Sequence, residues 1–159
     1  MEADAYADSS FLVSMLRVDD NHEAAMRYMA QSDETLAFNP LHRVELRNAL
    51  RNAQALGQIT ENERRLAFRE IEQDLQAGLL IHTRVNWTDA FRLADELSDK
   101  HAGKEGQRTI DLLHVALAIG CGAKTFLSFD HRQRRLAKAA SLSVKPYALS
   151  CATLRRYCP

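Results

Sequence analysis

Four acidic residues stand where a carboxylate could do chemistry: Asp8, Glu45, Asp111 and Asp130. Asp8 directly follows a short apolar run, Ala5–Ala7, in YADSSFLVSML, and Asp130 directly follows residues 125–129 in KTFLSFDHR. If those runs are strands, both acids lie just beyond strand carboxyl ends, where open α/β sheets bind their ligands. Each has a hydroxyl two residues away, Ser10 and Ser128, able to orient a carboxylate or a water. Glu45, in PLHRVELRNALRN, sits one turn before Ala49 and beside the apolar stripe of its helix. A wholly solvated glutamate belongs on the opposite side, with Arg43, Arg47 and Arg51. Asp111 heads TIDLLHVALAIG, a segment too uniformly apolar for a surface helix. A buried carboxylate there is costly unless its charge is compensated.

Each acid also has a plain structural explanation. Asp8 and Asp130 could each cap the helix that follows. Asp111 could face the positive end of its own helix dipole, behind Thr109 as N-cap. As a set they say more. Four carboxylates at one end of one sheet repel one another, and their pKa values climb unless a cation neutralises them. An oxygen-only donor set suits Mg²⁺ or Mn²⁺ rather than Zn²⁺. Such an ion can activate a water and stabilise charge on a phosphodiester.

The elements that must position these acids follow from the pattern of apolar runs. Short runs at 5–7, 35–38, 79–83, 125–129 and 143–147 alternate with longer amphipathic segments, which predicts an α/β layer fold. Leu46, Ala49, Leu50 and Ala53 form a helical stripe after Pro40. Thr60-Glu61-Asn62-Glu63 is a capping box, followed by Phe68, Ile71 and Leu75 and closed by Gly78. Thr88 is expected to cap a segment carrying Phe91, Ala94 and Leu97, and residues 98–108 read as a polar loop. The Gly103-Lys104 pair in that loop lacks the Ser or Thr and the upstream glycine of a phosphate loop, since Glu105 follows and residue 98 is serine.

The 159 residues suit one domain, 1–159, in which the role of the tail 148–159 is open. Lys plus Arg is 21 and Asp plus Glu is 21, so any nucleic-acid contact must rest on local patches. Cys121, Cys151 and Cys158 are odd in number and lack the spacing of a zinc site. With no apolar run near the roughly 18 residues of a membrane span, and no leader-like start, a cytoplasmic location without membrane contact is expected.

The same four acids are what the chain shares with PIN-domain ribonucleases, which it resembles, and especially with the VapC-type toxins of toxin–antitoxin modules. The resemblance rests on AYADSSFLVSML, VELRNAL, RTIDLLHVALAIGCGAKTFLSFDHR and QRRLAKAASL, which occur in the family's order. It implies a three-layer fold with a roughly five-stranded parallel sheet and helices on both faces. It further implies that Asp8, Glu45, Asp111 and Asp130 are catalytic, as ligands of Mg²⁺ or Mn²⁺, with Ser10 and Ser128 in support. His114 resembles the family's helix histidine, with a packing or hydrogen-bonding role. The start, MEADAYAD, is longer and less apolar than the family's first strand.

The implied activity is metal-dependent cleavage of RNA phosphodiesters, by a toxin that a small antitoxin protein silences. The alternatives are a PIN nuclease in RNA processing or acting on DNA, and a catalytically silent binding protein of the same fold. His131, Arg134, Arg135 and Lys138 share one helix face and are candidates to hold RNA phosphates. The Arg43, Arg47, Arg51 stripe is a second, weaker candidate, facing away from the core. Trp87 and Phe91 read as core. Phe11, Met15, Ala25 and Met29 are either core or a surface for the antitoxin or for a second copy in a homodimer.

Overall fold

The computed structural model describes residues 3–101 and 106–146. Five short strands alternate with seven helices among them. They run β1 (Ala5–Ala7), α1 (Ser9–Leu16), α2 (His22–Ala30), β2 (Leu36–Phe38), α3 (Pro40–Ala55) and α4 (Glu61–Ala77). There follow β3 (Leu80–His82), α5 (Trp87–His101), α6 (Thr109–Gly120), β4 (Thr125–Leu127), α7 (His131–Ala139) and β5 (Ser143–Lys145).

The strands form one parallel sheet in the order β3-β2-β1-β4-β5. The chain winds outward from β1 to β3, then returns across the sheet to β4 and β5. Right-handed crossovers then put α1–α4 over one face and α5–α7 over the other. The two cores follow this division. Ala5, Ala7, Leu36 and Phe38 pack with α1–α4, while Tyr6, Ala37 and Phe126 pack with α5–α7. Alternate strand residues thus serve opposite faces, and both faces are covered, so β1, β2 and β4 are wholly buried. The direction of winding reverses between β1 and β4, which makes their carboxyl ends the sheet's topological switch point.

Asp8 and Asn39 cap α1 and α3, Thr60 closes the expected capping box on α4, and Gly78 ends α4 in the left-handed conformation. The runs expected at 35–38, 79–83 and 125–129 shorten to β2, β3 and β4, and three expected helix boundaries move. Arg108, not Thr109, is the N-cap of α6, because the Asp111 carboxylate reaches back to the Arg108 N–H. Helix α5 begins at Trp87, where the Asn86 side chain accepts the Asp89 N–H, so Thr88 is inside it. It also runs to His101, into the stretch read as loop. The Gly103-Lys104-Glu105 sequence, Tyr147, Cys151, Cys158 and the tail lie outside the described residues.

Candidate active site

Asp8 leaves β1 with its backbone N–H still bonded to the Leu127 carbonyl of β4, so its carboxylate sits at the switch point and is buried. Its Oδ1 accepts the Phe11 N–H (2.7 Å) and the Ser10 hydroxyl (2.8 Å). Its Oδ2 accepts the Ser128 hydroxyl at 2.6 Å. The cap therefore occupies one oxygen, and the other is turned to β4.

Ser128, fully buried, links the two strand ends, since its hydroxyl also accepts the Asp130 N–H at 3.0 Å. Asp130 caps α7 by accepting the Arg132 and Gln133 N–H groups. Gln133 then passes the connection on. Its Nε2 donates to Asp111 Oδ1 at 3.1 Å, and its Oε1 is buried without a hydrogen-bond partner.

Glu45 approaches from the second turn of α3. Its Oε2 accepts both the Ser9 hydroxyl (2.6 Å) and His114 Nε2 (2.9 Å), which leaves Oε1 for another ligand. His114 lies one turn beyond Asp111 on α6, so α6 serves two of the four acids. Behind it the Tyr6 hydroxyl donates to His114 Nδ1 (2.9 Å), and Asn39 Nδ2 reaches the Tyr6 oxygen at 3.4 Å. This order of donors puts a proton on His114 Nε2, facing Glu45. His42 stacks on His114 with centroids 5.6 Å apart. Its Nε2 donates to the Ala7 carbonyl and its Nδ1 accepts the Asn39 N–H.

The acids thus fall into two hydrogen-bonded sets, Asp8, Asp130 and Asp111 in one and Glu45 with Ser9 and His114 in the other, and their electrostatics differ from simple mutual repulsion. Burial raises Asp8 above its ordinary value of 3.8, against the opposing bonds from Ser128, Phe11 and Ser10 and the His114 charge. For Glu45 burial also pushes upward, but the hydrogen bond and charge of His114 and the Ser9 hydroxyl outweigh it and hold the carboxyl below its usual range. Asp130 is lowered too, because the Gln133 and Arg132 amides and the Arg132 guanidinium overcome the effect of burial. The expected general climb is therefore confined, of these three, to Asp8, and its cause is desolvation rather than like charge.

The donor set fits a hard divalent cation in kind. It is built of carboxylate oxygens, with the unpartnered Gln133 Oε1 beside Asp111. Among the described residues no three His, Cys, Asp or Glu side chains converge on one point as they stand.

The basic candidates separate. Arg134 is half-buried and donates to the Ser128 and Lys145 carbonyls, closing the ends of β4 and β5. His131, Arg135 and Lys138 are exposed on α7. The Arg43, Arg47, Arg51 stripe does not point away into solvent. Arg43 and Arg47 pair with Glu72 of α4, and Arg47 and Arg51 join Arg64 around the Phe68 ring. Phe91, expected in the core, is 55% exposed, while Trp87 packs against it partly buried. Phe11 and Ala25 are fully buried, whereas Met15 and Met29 are partly so. Sequence reasoning passed over Ser9, Tyr6, Asn39, His42 and Gln133. Of these only the Asn39-Pro40 pair carried a local signal, that of a capped helix start.

Residues 5–139 match the PIN domain family. The chain belongs to it. The PIN family is one of nucleases. No curated protein sequence matches the chain. Among solved structures it is similar to FitAcB from Neisseria gonorrhoeae, with a TM-score of 0.61 at 19% identity, covering 91% of this chain and 99% of that one. It is similar to VapC20 from Mycobacterium tuberculosis, a sarcin-ricin loop cleaving toxin (TM-score 0.64, 17% identity, 89% of this chain and 99% of that one). It is also similar to VapBC2 from Rickettsia felis, solved bound to a DNA fragment from its promoter (TM-score 0.57, 16% identity, 89% and 96%). At these identities the likeness is one of fold. Among the described residues of this PIN domain no helix is long and apolar enough to cross a membrane.

Proposed function

We propose that this PIN domain is a divalent-metal-dependent endoribonuclease and the toxin of a toxin–antitoxin pair in the cytoplasm. The observation that carries the reading is the hydrogen-bonded run from Asp8 through Ser128, Asp130 and Gln133 to Asp111 at the switch point of the sheet, with Glu45 held beside it by Ser9, the chain neighbour of Asp8, and by His114, one turn from Asp111. Asp8, Glu45, Asp111 and Asp130 would supply the oxygen ligands, directly or through water, of Mg²⁺ or Mn²⁺, which when bound would supply Lewis acidity and an activated water. The protein's own groups set the geometry for in-line attack. Ser10 and Ser128 aim Asp8, Ser9 and His114 aim Glu45, and Gln133 ties Asp111 to the cap of α7. Cleavage leaves a 5′-phosphate and a 3′-hydroxyl. His131, Arg135 and Lys138 take neighbouring phosphates, while Arg134 is held by backbone carbonyls.

The similarity to a sarcin-ricin loop cleaving toxin, and to FitAcB and VapBC2, supports the toxin reading. The antitoxin it needs is a small protein whose basic segment brings an Arg or Lys to the four acids. The decisive assay is RNA cleavage by the purified chain, free of partners, with Mg²⁺ or Mn²⁺ and then with a chelator. Cleavage that needs the metal is expected. Asp8→Asn, Glu45→Gln, Asp111→Asn and Asp130→Asn should each lower it by more than the roughly hundredfold that loss of an outer-sphere partner costs. An acid whose amide variant keeps near-normal activity at saturating metal does not belong to the set. Expression in a bacterium should arrest growth through Asp8. Harmless high-level expression of an RNA-cleaving wild type points instead to an RNA-processing role.

A further inference from the structure

An open groove of about 440 Å³ runs between α1 and α3 and includes Glu45, the one of the four acids that lines it, together with Ser9 and Ser10, the latter bonded to Asp8. Beyond Glu45 its α3 wall is Asn48, Ala49 and Asn52. These stand at i+3, i+4 and i+7 from Glu45, so they continue the same helical face. The facing wall on α1 includes Val13 and Ser14, and Asn21 closes the far end. Ser14 is committed to Asp19, which also accepts the Asn21 N–H. The Asn48 and Asn52 carboxamides are different: both residues are exposed, and neither amide takes part in a side-chain hydrogen bond among the described residues.

The composition of this groove excludes one occupant and favours another. No Lys or Arg lines it, and its two charged residues, Asp19 and Glu45, are acids. A phosphate is therefore unwelcome anywhere but at the metal-holding end. What the walls offer is neutral donors and acceptors from two asparagines, with the small apolar Val13 and Ala49 between them. That is the surface a flat, uncharged, hydrogen-bonding group fits. Carboxamides present a donor and an acceptor side by side, as a base edge does. A groove lined for a protein helix would instead show apolar anchors at i, i+3, i+4 and i+7.

We infer that the groove is a base-reading subsite for single-stranded RNA, in which Asn48 and Asn52 hydrogen-bond the edge of a nucleotide beside the scissile phosphate. This rests on the ribonuclease reading above and adds to it the source of sequence preference. Sequence-specific RNA recognition works on unpaired bases whose edges are free, and the groove is open to solvent, as a bound strand requires.

The test is the pattern of cleavage rather than its amount. The full chain and its Asn48→Ala/Asn52→Ala variant are each given a pool of single-stranded RNA of randomised sequence with Mn²⁺, and the cut sites are sequenced. Alanine is the better helix former and both positions are exposed, so the variant folds, and a thermal melt checks this. Wild type should favour certain bases at one position next to the cut. In the variant that preference should fall by roughly fivefold or more, the loss expected for a two-bond base contact, while preferences elsewhere persist. An unchanged preference at every position overturns the groove assignment and leaves the nuclease reading standing. So does a variant that keeps its preference but loses the partner protein encoded beside it, since the groove then docks protein. Absence of RNA cleavage by wild type overturns the nuclease reading, and the subsite with it.

Discussion

Asp8 and Glu45 have their charges managed separately, and the consequences are opposite in sign. Asp8 is raised by burial, so the folded state prefers it protonated, and its stabilising contribution is lost as pH rises through the folded pKa. Without metal, Asp8→Asn should therefore melt higher than wild type at pH 7, and the difference should vanish below pH 3.8, where both states are protonated. A difference that persists at pH 3 in urea or thermal melts contradicts this. Glu45 is lowered, mainly by His114 against the effect of burial, so Glu45→Gln should give no such gain. His42 runs the other way from Asp8. Burial and the neighbouring His114 charge drop it to about 3 from 6.5, so between those values the unfolded chain binds the extra proton and stability falls as pH falls. Its ring resonances should stay neutral in an NMR titration from pH 8 to 4. A midpoint near 6 would mean that the ring is not sealed against Ala7. His114 is a positioning residue whose Nε2 holds Glu45. His114→Gln keeps a donor at that reach and should retain most Mn²⁺ affinity, whereas His114→Leu should lose about 10- to 100-fold. Calorimetry with Mn²⁺ separates the two, and equal affinities would make the histidine a packing residue only.

At the scale of elements, the helices do two jobs with one set of residues. Helix α3 carries Glu45 on one side and, on another, the arginines that meet α4. Arg43 and Arg47 share Glu72, but those pairs are more than a third exposed in sum and weak singly. The Phe68 ring, with three guanidinium groups 5.0–5.7 Å from its centroid, contributes the larger share. Phe68→Ala should cost about 2–3 kcal/mol, less than a fully buried phenylalanine. Arg51→Ala should cost about 0.5 kcal/mol. Urea unfolding measures both, and a Phe68→Ala variant as stable as wild type would show α4 held by Ala67 and Ile71 alone. Because α3 also positions Glu45, the same variant should weaken metal binding slightly, which a surface aromatic with no structural task would not do.

For the whole molecule, the proposed metal binding would be linked to folding. The sheet brings Asp8 and Asp130 together only in the folded state, so a cation that needs both stabilises that state alone. Wild type should gain about 2.7 kcal/mol, seen as a rise in Tm, at Mn²⁺ concentrations one hundred times Kd. Asp8→Asn should show almost none of this shift. Identical melts of wild type with and without Mn²⁺ would remove the metal from the account of this site. Calcium, larger and less demanding in geometry, serves as the control for simple charge screening.

Much of this was legible in the chain itself. The strands at Ala5–Ala7 and Thr125–Leu127 were readable because apolar runs of that length end abruptly at an acid, and the capping box at Thr60 because its partners are three residues apart. The α/β layer class and the placement of acids at strand ends are local properties, set by periodicity and by what a helix start accepts, while the PIN-like arrangement came from the resemblance. What the sequence left open is whatever depends on distance through space. Tyr6 reads as one more apolar strand residue, yet its hydroxyl meets a histidine 108 positions away. Gln133 reads as a surface helix residue, yet it joins two of the acids. The arginine stripe of α3 has the spacing of a solvated face, and only the packing of α4 against it turns that face into an interface. Spacing along a helix determines which residues share a side. What that side meets is decided by the crossovers of the sheet, which no local pattern encodes.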